Sequence, residues 1–108
     1  MAKNQPQIDI GQSGGAWVDN QDVYTPPTGK VIAAINVHTA ATFTALTPAN
    51  TVGSYHIGTS HVDTLAGNGT NSEAIVNSDS FPTGFWLYGR WSSMDLAGGA
   101  VIVYFADV

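Results

Sequence analysis

The chain has 108 residues and no cysteine, with three Lys plus Arg against eight Asp plus Glu and a formal net charge of −5. One domain fits that length, no disulfide or thiolate site is possible, and the acidic balance argues against nucleic-acid and anionic-membrane partners, which are held through Lys and Arg. Only 10% of the residues are charged while 44% are apolar, a surface poor in charge for a free monomer and suited to one covered by other subunits.

Val, Ile and Thr together contribute 28 residues and Leu only four. β-Branched residues dominate, good helix formers are scarce, and Gly and Pro punctuate short apolar runs, a pattern that predicts an all-β chain. Residues 1–15 are polar and Gly-rich with a short Ile8-Asp9-Ile10 alternation. They are expected to form an extended N-terminal arm, or a first edge strand, ahead of a single β domain over 16–108. The segment 16–24 (AWVDNQDVY) reads as one strand or as two short ones about Asn20. TPPTG at 25–29 is a turn. Val31–His38 is the clearest buried strand; alternation puts Val31, Ala33, Ile35 and Val37 on one face and Ile32, Ala34, Asn36 and His38 on the other. Ala41–Leu46 continues it past a kink. A weaker strand is expected over Ser54–Val62 and a short one over Ala74–Val76. Phe85–Leu96 and Ala100–Phe105 then form a hairpin about Ala97-Gly98-Gly99.

The stretch FWLYGRWSSM at 85–94 concentrates two of the three Trp and the sole Arg. As a strand it places Phe85, Leu87, Gly89 and Trp91 on one face and Trp86, Tyr88, Arg90 and Ser92 on the other. Met94 and Leu96 are out of phase with Leu87 and Trp91, and a bulge near Ser92-Ser93 would restore one apolar face. Gly89 leaves room for a neighbouring aromatic ring or marks another bulge. Both faces are apolar around Trp86 and Tyr88, as they are in AVIVYF at 100–105, so the second face is expected to meet another subunit. Trp86, Tyr88, Arg90 and Tyr104 are therefore the candidate self-association residues. Arg90 is expected to stack on Trp86 or Trp91 and to fork onto a carboxylate, Asp95, Asp79 or Glu73, in this chain or in a neighbouring subunit.

Motifs that carry chemistry are absent. His56 and His61 are five apart, wrong for ligands on one strand face, and no HEXXH, CXXC, GXSXG or phosphate loop occurs. The reading expects no enzyme, no metal and no cofactor. A carbohydrate-binding or receptor-binding module is the alternative, since Trp17, Tyr55, Trp86, Tyr88 and Trp91 could stack on sugar rings. No run is long and apolar enough for a membrane helix, and MAKNQPQIDIGQSGG lacks the apolar core of a secretory signal.

Two stretches, TPPTGKVIAAINVHTAATFTALTP and FPTGFWLYGRWSSMDLAGGAVIVYFA, carry a resemblance. They contain Pro26, Pro27, Gly29 and Lys30; Ala41, Thr42, Phe43, Leu46 and Thr47; Pro82 and Gly84; Tyr88, Gly89, Arg90 and Trp91; and Leu96, Gly99, Val101, Ile102 and Tyr104. In this pattern, over residues 23–106, the chain resembles small virion structural proteins of tailed bacteriophages, many of the marine type. The resemblance implies a capsid decoration, or cement, protein made in the host cytoplasm and carried on the capsid surface, with the major capsid protein as partner. The arm, through Ile8 and Ile10, would contact the capsid. The fold expected is a small antiparallel β-sandwich or jelly-roll-like barrel, assembled as a homotrimer.

Overall fold

A computed structural model describes residues 12–49, 57–59 and 75–108. They form a three-stranded antiparallel sheet in the order β1-β3-β2, with β1 at Gly15–Val18, β2 at Lys30–Pro48 and β3 at Trp86–Asp107. No helix occurs among the described residues. Gly15 of the expected arm already belongs to β1, and residues 1–11, with Ile8 and Ile10, fall outside the described residues. So does most of the strand expected at Ser54–Val62, of which Ile57–Thr59 is described and is not strand. Ile75 and Val76 are not strand either.

The segment 16–24 resolves into two short pieces about Asn20. β1 ends at Val18, the Asn20 side-chain oxygen accepts from the Asp22 N–H at 3.0 Å, and Tyr24 forms an isolated antiparallel bridge with Met94. The turn that follows closes with Lys30 N–H donating to the Pro27 carbonyl at 3.0 Å. Gly29 sits in it at φ 85°, the left-handed position that a type II turn requires and a side chain resists.

β2 is one strand of 19 residues, so the segments 31–38 and 41–46 do join across an irregularity. Its register against β3 jumps from Thr39↔Ala100 to Thr42↔Gly98, three steps on β2 for two on β3. Gly99, at φ 87°, faces this kink: a Cβ there would lie 2.3 Å from the Ala40 carbonyl oxygen. The expected hairpin about Ala97-Gly98-Gly99 is therefore absent. Gly99 serves a close backbone approach within a continuous β3, and both halves of that strand pair with β2 rather than with each other. Residues 86–91 lie along β2 at Asn36↔Trp86, Ile35↔Leu87, Ala34↔Tyr88 and Ile32↔Trp91, while residues 101–107 pair with the same stretch of β2 from Val37↔Val101 to Lys30↔Asp107.

A second correction concerns which face Ile32 takes. The pairs Ile32↔Phe105, Ala34↔Tyr104 and Ile35↔Val103 advance β2 by two residues where β3 advances by one. This bulge at Ala33-Ala34 changes the phase of the strand. Ile32 thus joins Ile35 and Val37 in the core, and Ala34 and Asn36 face out with their partners Tyr104 and Ile102.

The bulge expected near Ser92 is present: Thr47↔Ser93 is followed by Pro48↔Trp91, leaving Ser92 extra on β3. Leu87, Trp91, Met94 and Leu96 consequently all enter one core with Val18, Phe43, Leu46, Val101, Val103 and Phe105. Trp91 is the largest fully buried side chain. Its ring lies over Gly89, where a Cβ would come 2.7 Å from Trp91 Cζ2. Its Nε1–H donates to the Ile57 carbonyl at 2.6 Å, so the buried ring has a polar partner. Residues 57–59 are held against the far end of β2, with Thr59 N–H donating to the Leu46 carbonyl at 2.9 Å.

Candidate functional site: an aromatic sheet face and a cationic cleft

The outer face of the sheet is built from two cross-strand rows. One runs Trp17, Ile102, Asn36, Trp86; the next runs Gly15, Tyr104, Ala34, Tyr88. Alternation from the core-facing Ile35 and Val37 puts Ala34 and Asn36 on this side, and the bulge at Ala33-Ala34 takes Ile32 off it. Ala34 is a small floor, fully buried between Tyr88 and Tyr104. Above it three rings stack. Trp86 and Tyr88 have centroids 5.8 Å apart and planes 6° apart; Trp86 and Tyr104 have 5.7 Å and 20°. Trp17 meets His38 edge to face at 5.0 Å on the same side of the sheet. Trp86, Tyr88 and Trp17 remain 38%, 59% and 51% exposed. Neither row contains a charged residue.

Three of the four self-association candidates, Trp86, Tyr88 and Tyr104, are thus brought together, and the face they form is open on the single chain. Arg90 leaves them. Its Nη2 donates to the backbone carbonyl of Asp107 at 3.2 Å, at the end of β3. Among the described residues neither Asp79 nor Asp95 reaches it. The Asp79 carboxylate accepts from the Val76 N–H at 3.0 Å, and Asp95 Oδ1 is buried with no hydrogen-bond partner there. Glu73 lies outside the described residues. Stacking on Trp91 is precluded, because that ring is in the core.

Arg90 instead lines a cleft of about 580 Å³ beside the Pro26-Pro27 turn, together with Lys30, Val31 and Ser92. Lys30 Nζ pairs with Asp107 Oδ1 at 2.6 Å. The hydrogen bond from Lys30, and then its charge, hold the Asp107 carboxyl below the usual aspartate range. Periodicity did not reveal this cleft. Its two cations are 60 positions apart in the chain, and only the long β2–β3 register brings them to one end of the sheet.

Among the described residues no group of three His, Cys, Asp or Glu converges to hold a metal ion. Compared with protein-family models, with curated proteins and with solved structures, the chain matches none.

Proposed function

We propose that this chain is a structural virion protein, a decoration (cement) protein that sits on a phage capsid and self-associates, as a trimer, through its aromatic sheet face. The observation that carries the reading is the uncharged stack Tyr88–Trp86–Tyr104, extended by Trp17 and exposed on the single chain. Clustered exposed aromatics mark interaction sites, and Trp and Tyr dominate the binding energy of interfaces once water is excluded from them. A chain with so few charges has little else to keep that face wet. Pairing of residues 32–36 of β2 along both edges supports a sheet that curls toward a sandwich or jelly-roll-like barrel, with the stack on its outside. Ile8 and Ile10 of the arm are assigned to the major capsid protein.

The action is mechanical. An oligomer that binds assembled capsid subunits and not dissociated ones stabilises the shell by mass action. Several weak contacts made at once give avidity. Sedimentation tests the reading. The wild-type chain is expected as one discrete oligomer that co-sediments with phage heads, and Trp86→Ala combined with Tyr88→Ala as a folded monomer. A wild-type chain that stays monomeric at all concentrations, or that ignores heads, sinks it.

The same ring geometry favours one other reading, a carbohydrate-binding or receptor-binding module of a tail or fibre. Near-parallel exposed rings with the Asn36 amide between the strands suit the C–H face of a sugar. Saturable quenching of Trp fluorescence by glycans, abolished in Trp86→Ala, would favour this reading over decoration.

A further inference from the structure

The chain has three Lys and Arg residues, and two of them, Lys30 and Arg90, line the same cleft. Lys30 is neutralised by Asp107. Arg90 is not neutralised by any described residue. It is half-buried, and of the five donors of a guanidinium it commits one to an acceptor among the described residues, an uncharged carbonyl. The remaining donors form a planar fork of the geometry that matches a carboxylate in two parallel hydrogen bonds. Pro26, Pro27 and Val31 give the cleft apolar wall, and Thr25, Thr28, Ser92 and Val108 also line it. The cleft volume of about 580 Å³ lies within the range of small-ligand sites. A charged donor fork against proline and valine calls for an anion carried on a short apolar body.

We propose that this cleft is a binding site for a carboxylate of an extended peptide, held by Arg90 with its aliphatic flank on Pro26, Pro27 and Val31. The site is separate from the aromatic face and does not depend on self-association. The carboxylate is an acidic side chain or a chain terminus, and the two sources can be told apart by experiment. Asp107 tunes the site by occupying Lys30: its side chain is 79% exposed and competes with an incoming carboxylate for the ammonium.

The test uses the full chain labelled with ¹⁵N. Arg90 is the sole arginine, so its Nε–H resonance is a single assignable signal. It is titrated with acetyl-Ala-Asp-Ala-amide, with acetyl-Ala-Ala-Val bearing a free carboxyl terminus, with inorganic phosphate, and with sodium chloride at matched ionic strength. A saturable shift with the first or the second peptide is expected, and which one responds identifies the source. Arg90→Lys, which keeps the charge and loses the fork, is expected to weaken binding about tenfold. Asp107→Asn, at an exposed position, is expected to tighten it several-fold. Trp86→Ala leaves it unchanged. The proposal is overturned if neither peptide saturates, if phosphate alone binds, if chloride reproduces the shift, or if Asp107→Asn weakens the peptide.

Discussion

Gly89→Ala probes the packing of Trp91. The added Cβ would lie 2.7 Å from Trp91 Cζ2, 3.0 Å from Cη2 and 3.1 Å from Cε2, whereas ordinary contact starts at 3.4 Å. The ring must therefore retreat by about 0.7 Å, the difference between 2.7 and 3.4 Å. It has nowhere free to go: it is fully buried and its Nε1–H is tied to the Ile57 carbonyl at 2.6 Å. Overpacking of this kind costs about 1–3 kcal/mol, and stretching a buried hydrogen bond adds up to ~1 kcal/mol. Against this, alanine restricts the unfolded chain and returns ~0.4–1 kcal/mol. The expected balance is a loss of about 2 kcal/mol, a fall of about 8 °C in Tm for a chain of this length. Urea unfolding, run at two protein concentrations about tenfold apart to separate folding from assembly, measures it. Trp91→Phe removes the atoms that clash, so the alanine penalty should largely vanish in the double variant, a coupling that a thermodynamic cycle reads directly. A Gly89→Ala chain as stable as wild type, or a penalty undiminished in the Phe background, would refute the placement of the ring.

Three further outcomes are expected. Gly99→Ala forces a side chain into positive φ and against the Ala40 carbonyl at 2.3 Å, whereas at Gly98 a Cβ would meet only Thr42 Oγ1 at 3.6 Å. The first variant should lose 3 kcal/mol or more (~3–5) and the second should differ little from wild type in thermal unfolding. Burial raises the pKa of the Tyr24 hydroxyl, so its contribution is intact below the ordinary tyrosine value and is lost as pH climbs through the folded value. Tyr24→Phe, which keeps the ring stacked 6.4 Å from Phe105, should flatten the alkaline limb of the stability profile. Asp107 behaves in the opposite sense. Its lowered pKa confers stability above the ordinary aspartate value that disappears as pH falls through the folded value, and Asp107→Asn should flatten the acid limb in urea titrations below neutral pH.

Strand period and local sterics were legible where the deciding contact is close in sequence. The phase mismatch between Trp91 and Met94 announced the bulge at Ser92, and a glycine two residues before a tryptophan announced space for its ring. The kink between His38 and Ala41 was visible for the same reason. Gly98-Gly99 misled because glycine pairs serve two purposes, a tight turn or a close approach of two backbones. Which one applies depends on the partner strand, some 60 residues away. The bulge at Ala33-Ala34 left no mark, since Val31 and Ile32 are equally apolar and either fits the core. Arg90 found a backbone carbonyl, an acceptor that every residue carries and that composition therefore cannot single out. The exposure of Trp86 and Tyr88 follows from which face meets the core, and the alternation of their own strand is apolar on both.

Among the described residues β2 pairs with β3 along its length, apart from an isolated bridge of Ala41 to Phe81, and the outermost hydrogen-bonded pair, Lys30 with Asp107, spans 77 positions of the chain. No hairpin within the described residues offers a cheap first step. Among the described residues the β2–β3 pair shortest in sequence, Pro48 with Trp91, still closes a loop of 43 positions. During synthesis β2, rich in β-branched apolar residues, is therefore complete long before its partner exists. It must wait, unpaired and prone to stick, until the last turn of β3 leaves the ribosome. The β2–β3 ladder is thus expected to form only after β3 is available, in milliseconds to seconds rather than microseconds, so the hazard in producing the chain lies in the time before that strand arrives.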